Sequence, residues 1–242
     1  MNTPLLGIIG GMGTQATACF YEKLHAMQNV SSEQEYLDTL IYSMPSIPDR
    51  TAYIIGEAKD SPLEPLRHAA RTLEKAGASL IAMLCITSHF FYDELCACVH
   101  TPFLSIPDET VRYAAKHGIN SVGLLATDGT LSSGVLSKRF ASAGIDVFLP
   151  SPANQKRLMK IIYDIKLGAQ ANSDELAQIA ADLHICGAQA IVLGCTELCI
   201  SDIPSPALPF RYINTLDVLA AECLRQARQE GDSYDDQCLG IS

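Results

Sequence analysis

Leu73-Glu-Lys-Ala-Gly77-Ala78-Ser-Leu-Ile81-Ala-Met-Leu-Cys85 and Leu183-His-Ile-Cys-Gly187-Ala188-Gln-Ala-Ile191-Val-Leu-Gly-Cys195 decide the reading of this chain. Leucine, glycine, alanine, isoleucine and cysteine recur in the two stretches at a constant offset of 110 residues. Each stretch is preceded by an apolar helical stripe. Leu66, Ala69, Ala70 and Leu73 stand at i, i+3, i+4 and i+7, and so do Leu176, Ile179, Ala180 and Leu183. Each therefore reads as a helix, a glycine turn, a short buried strand and then a cysteine.

Working outward, the same alternation covers most of the chain. Apolar runs at 5–9, 39–44, 80–84, 103–106, 121–126, 146–149, 190–193 and 210–213 read as strands. They are continuous rather than alternating, as strands buried on both faces should be. Leu158, Ile161, Ile162 and Ile165 mark another helix between runs. Strands alternating with helices imply parallel sheets built from βαβ units. Residues 7–13 resemble 122–129, and Phe103-Leu-Ser-Ile106 resembles Phe210-Arg-Tyr-Ile213. The expected fold is α/β, with two similar Rossmann-like domains related by a pseudo-twofold and a site in the cleft between them. The expected division is 1–100 plus 209–242 for the first and 101–208 for the second. The acidic, polar tail from Gly231 reads as mobile.

Composition excludes other classes. Of 242 residues, 48% are apolar and 18% charged, enough for a large core and too few charges for disorder. A net charge of −10 disfavours nucleic acid or an anionic membrane as partner. No apolar run approaches the roughly 20 residues that span a bilayer, and the opening apolar run lacks a basic flank. Nine cysteines, an odd number, without a CxxC or a secretion signal suggest reduced thiols in a cytoplasmic protein. The spacings of Cys96, Cys98, Cys195 and Cys199 do not suit zinc, so no metal is expected.

Ligands of parallel sheets bind beyond the carboxyl ends of the strands. The loop Gly10-Gly11-Met12-Gly13-Thr14 lies at one such end. It is not a dinucleotide loop: G-x-G-x-x-G is absent, and the second strand ends in Ser43-Met44-Pro45 rather than an acid. Cys85 and Cys195 lie at two other ends, before expected helix starts that would lower a thiol pKa from about 8.5. A lone free cysteine is usually a small buried hydrophobe. Two at equivalent points of two halves would face each other across one cleft. Such a pair suits inversion of a carbon centre, with a base on one face and an acid on the other. Asp49 and Glu197 read equally as helix caps, and His89 as a satisfied core histidine or a group tuning Cys85.

Gly7-Ile-Ile-Gly-Gly-Met-Gly13, Ser46-Ile-Pro-Asp-Arg50-Thr51, Cys85-x-Thr87-x-His89, Asp164-x-Lys166-x-Gly168 and Gly194-Cys195-Thr196-Glu197-Leu198 together resemble the cofactor-independent aspartate/glutamate racemase superfamily, aspartate racemases above all. The resemblance implies an isomerase that interconverts L- and D-aspartate, or a close acidic analogue, without pyridoxal phosphate or another cofactor. It implies Cys85 and Cys195 as the acid/base thiols, and Arg50 and Lys166 as cations for the side-chain carboxylate. Met12 would line the pocket. Thr87, Thr127 and Thr196 would surround the α-carboxylate and ammonium, with Glu197 beside them. The family's Cys-Asn-Thr is here Cys85-Ile86-Thr87, so Ile86 keeps only its backbone N–H for a carboxylate oxygen. The resemblance also implies a homodimer and a C-terminal helix that crosses back to the first domain. Maleate isomerases of the same superfamily pair cysteines too, but one attacks carbon covalently.

Overall fold

The computed structural model describes residues 4–203 and 210–228. It contains two four-stranded sheets, and every ladder is parallel. The first half runs β1 Leu5–Gly10, α1 Thr14–Ala26, β2 Asp38–Ser43, α2 Arg50–Ile54, α3 Leu63–Lys75, β3 Leu80–Met83, α4 Tyr92–Cys96, β4 Phe103–Leu104 and α5 Ile106–Lys116. The second runs β5 Ser121–Ala126, α6 Asp128–Ser133, α7 Ser137–Ser142, β6 Asp146–Phe148, α8 Pro152–Lys166, α9 Ser173–Ile185, β7 Ala190–Gly194, β8 Arg211–Asn214 and α10 Thr215–Arg228. The orders β2-β1-β3-β4 and β6-β5-β7-β8 are the same arrangement twice. Every strand expected from an apolar run is present. The edge strands β2, β6 and β8 are only partly covered, so the expectation of burial on both faces holds for the inner strands and β4 but fails at those three edges.

Two strands lie in the other sheet from the one the sequence division gives them. Phe103–Leu104 pairs with β3, and Arg211–Asn214 pairs with β7. In each half the last strand follows the cysteine loop and adds to the far side of the cysteine strand. The repeating unit therefore ends with α5 and α10, not with the cysteine loop. The boundary expected at 208 and the tail from Gly231 fall outside the described residues. Helix α10 packs on β7 and β8, and also on α1, α5, β1 and β3. Lys23 Nζ on α1 meets Asp217 Oδ1 on α10 at 2.7 Å. No helix among the described residues is long and apolar enough to cross a membrane.

The duplication has a packing cause. Gly77 and Gly187 both hold positive φ, +94° and +120°, which only glycine adopts without strain. In both turns the next alanine N–H returns to the helix, Ala78 to Leu73 and Ala188 to Leu183, each at 3.1 Å. The helix then lies so close to the first strand of its half that no side chain fits beneath it. A Cβ on Gly7 would stand 2.9 Å from Ala78 Cβ, and one on Gly123 would stand 2.9 Å from Leu183 Cβ. The helical stripes chosen from the sequence are the buried faces of α3, α8 and α9.

His89 ties the Cys85 loop to the rest of its sheet. Its Nε2 accepts from the Ile106 N–H at 3.2 Å, which leaves Nδ1–H to donate to the Cys85 carbonyl at 2.8 Å. The ring is fully buried and neutral, with its pKa pushed down to about 4 by desolvation. Of the two readings, the satisfied core histidine is the observed one, and it fixes the Cys85 backbone.

Two predictions follow from this packing. Gly123→Ala forces the fixed backbones of β5 and α9 apart, and should lower stability by about 1–3 kcal/mol in urea unfolding. Between roughly pH 6.5 and 4 the unfolded chain protonates His89 and the folded chain does not, so stability falls as pH falls through that window. The loss should be on the order of 3 kcal/mol. Urea midpoints of His89→Asn across the same range should lack this component of the slope.

Candidate active site

Four loop segments meet between the carboxyl ends of the two sheets. The first is the glycine loop after β1. Gly11 has φ +88°, and its N–H donates to Thr17 Oγ1 at 2.9 Å. A side chain there would collide with the backbone of Met44 and Pro45. Gly11 thus serves a close crossing of two chain segments, the bland reading of this loop. Met12 is buried, and Ser88 Oγ–H donates to its Sδ at 3.3 Å. Gly13 leaves room for Glu197: a Cβ there would stand 2.9 Å from Glu197 Oε1.

The second segment is 46–51, which enters α2. Asp49 caps the helix by accepting from the Ala52 N–H at 2.8 Å, as the sequence suggested. Arg50 begins the helix and is only 8% exposed. Its Nη1 donates to the Ile47 and Pro48 carbonyls at 3.2 and 3.1 Å, and its buried Nε has no hydrogen-bond partner among the described residues. The guanidinium lies beside the Cys85 side chain. Burial opposes its charge, but Cys85, Asp49 and Glu197 outweigh burial and hold its pKa above the usual value.

The cysteine loops are the third and fourth. Cys85 and Cys195 are 6% and 5% exposed and both are free thiols. Cys195 Sγ–H donates to Glu197 Oε2 at 2.9 Å, and Thr196 Oγ1–H donates to the same oxygen at 3.2 Å. Glu197 makes no capping bond, so the cap reading gives way to this one. The lowered thiol pKa expected of a helix start also fails at Cys195. Desolvation and then the Glu197 charge raise it well above its ordinary value, and only a three-residue 3₁₀ turn, Leu198–Ile200, follows. Lys166, the last residue of α8, stands near both thiols. Burial opposes its charge, and Cys195 and Glu197 more than offset burial, so its pKa is raised.

Thr87 and Thr127, expected near the substrate, also bond one another. Thr87 Oγ1 lies 3.0 Å from Thr127 Oγ1 and 2.9 Å from Thr130 Oγ1, and the last two are 3.1 Å apart. This buried hydroxyl triangle joins the Cys85 loop of one half to the start of α6 in the other. Alongside it α2 packs on α6, where a Cβ on Gly129 would stand 2.8 Å from Thr51 Cα. Ile86 turns its side chain into the apolar core, so only its backbone can face the site.

The sequence reading passed over Thr130, although it stands three residues after the capping Thr127. It also passed over Tyr163, one turn before Lys166. Lys166 Nζ lies 4.9 Å over the Tyr163 ring, and Tyr163 Oη–H donates to Asp49 Oδ2 at 3.3 Å. Asp49 remains below the usual carboxylate range: burial pushes it up, but the Ala52 N–H, Lys166 and Arg50 prevail. A cavity of about 390 Å³ is lined by Gln15, Ile165, Gly168 and Ile200 among others. A larger one, about 580 Å³, lies on the outer face of α8 and α9, away from the cysteines.

Comparison with known proteins agrees with this geometry. The Asp/Glu/Hydantoin racemase family matches residues 9–223. The aspartate racemase of Picrophilus torridus superposes with a TM-score of 0.81 at 28% identity, over 98% of this chain and 99% of that one. A glutamate racemase of Francisella tularensis shares the fold at 16% identity, with a TM-score of 0.68 over 97% of this chain and 85% of that one. The broad-specificity amino-acid racemase RacX of Bacillus subtilis is 28% identical over 149 residues, 59% of this chain and 63% of that protein. The chain thus spans less than two thirds of the length of the curated relatives it matches. With two parallel sheets, paired cysteine loops and a family match over nearly its whole length, this chain belongs to the Asp/Glu/hydantoin racemase family.

Proposed function

We propose that this protein racemises aspartate or a close acidic amino acid, using Cys85 and Cys195 as a two-base pair and no cofactor. One observation carries the reading. Two buried thiols at equivalent strand ends share one cation, Lys166, which both act on, and Arg50 stands beside Cys85. One sulfur, as thiolate, takes the Cα proton while the other, as thiol, delivers a proton to the opposite face. The reverse reaction exchanges their roles.

The energetic difficulty is the weak acidity of Cα–H against a thiol of ordinary pKa about 8.5. Fixed charges in a site closed to water are what can stabilise the developing carbanion. Arg50 and Lys166 receive the side-chain carboxylate, Arg50 with a fork that fits it in two places. The Ile86 backbone and the Thr87, Thr127 and Thr196 region face the other end of the substrate, and Met12 closes the wall. The similarity to RacX supports a second reading, in which several amino acids are accepted. A homodimer in the cytoplasm is the setting we propose.

Cys85→Ser and Cys195→Ser should each lower aspartate racemisation by at least about 10³-fold, within the range known for acid–base groups. Circular dichroism of L- and D-aspartate measures it, and full activity in either variant overturns the two-base assignment. Solvent deuterium entering aspartate Cα supports racemisation, whereas a succinyl adduct on either cysteine after incubation with maleate supports isomerase chemistry instead. Arg50→Lys keeps the charge and loses the fork, and should raise KM for aspartate by roughly 10- to 100-fold.

A further inference from the structure

Three charged groups surround the thiols, and they form a pattern. Arg50 and Lys166 are cations, and Glu197 is a carboxylate that acts on both. An acidic amino acid carries the opposite set, two carboxylates and one ammonium. The nearby Asp49 has both oxygens engaged, Oδ1 by the Ala52 N–H and Oδ2 by Tyr163. Glu197 has one oxygen engaged. Its Oε2 takes the Cys195 and Thr196 hydrogens, while Oε1 is buried with no hydrogen-bond partner among the described residues. The residue is 2% exposed, so water does not compensate freely. Gly13 keeps the space against Oε1 clear of any side chain.

We propose that Glu197 Oε1 receives the α-ammonium of the substrate, and that this contact selects amino dicarboxylates over dicarboxylates lacking the amine. The inference rests on the racemase reading and adds the group that recognises the amine. Two consequences follow from the geometry. Because Oε2 holds the Cys195 sulfur, one carboxylate sets both the ammonium and the acid/base thiol, and so aims Cα at sulfur. An ammonium kept charged beside Cα also withdraws electrons from the bond that must break. A dicarboxylate without the amine would still meet Arg50 and Lys166, but would leave Oε1 bare.

The test compares aspartate with succinate on wild type and Glu197→Gln, which keeps the shape and removes the charge. Aspartate KM comes from racemisation, aspartate Kd from calorimetry should turnover be lost, and succinate from inhibition and calorimetry. Aspartate binding should weaken about tenfold or more while succinate binding changes by less than about threefold or tightens, since a buried charged pair is lost only for the amine. Equal weakening of both ligands would assign Glu197 to the shape of the site and overturn the proposal. Unchanged aspartate affinity would overturn it as well. Both of those results leave the racemase reading standing as long as wild type exchanges Cα deuterium. If wild type exchanges deuterium with no acidic amino acid, the racemase reading fails and this inference fails with it.

Discussion

Arg50 is a buried cation, and a buried cation persists only where anions or strong acceptors replace the water it has lost. That requirement organises the centre of this protein. The Ile47 and Pro48 carbonyls, Cys85, Asp49 and Glu197 come from three different segments, and Lys166 adds a second cation from a fourth. No one segment could hold its charge there alone. The loops must close on one another for any of them to be tolerated, and closing puts two thiols in one electrostatic environment. The charges that make chemistry possible are the same charges that make the junction of the halves specific.

The halves can meet this way because each solves the same packing problem identically. Gly7 and Gly123 let α3 and α9 sit directly on the first strands, and Gly77 and Gly187 turn the chain into the cysteine strands. The cysteines then emerge at matching heights at the carboxyl ends of β3 and β7. Helices α5 and α10, each following the last strand of its sheet, pack on one another. The core beneath is continuous, joining Leu6, Ile8 and Phe20 with Leu124, Leu216 and Leu224.

Threonine illustrates how tertiary structure adds a role that local character does not show. Thr87 and Thr127 are polar residues at strand ends, where ligands bind, and a substrate role is a natural inference. Each also bonds the other across the junction, with Thr130 completing the triangle. The hydroxyls are satisfied within the protein, as buried polar groups should be. His89 is similar. Four residues from Cys85, it acts on the loop's backbone, not on its sulfur.

Periodicity determined the strands, the buried helical stripes and the existence of two like halves, because these depend on local spacing and on the side chains that must leave water. The same repetition singled out Cys85 and Cys195, and the loop motifs singled out Arg50, Lys166 and Glu197. Which sheet takes Phe103–Leu104 and which takes Arg211–Asn214 was decided only in three dimensions, since a short apolar strand pairs equally well by local criteria with either edge. The raised pKa of Cys195, the bare oxygen of Glu197 and the Tyr163 shelf under Lys166 likewise exist only after folding. Desolvation and charge proximity are properties of the assembled neighbourhood, and no single stretch of chain carries them.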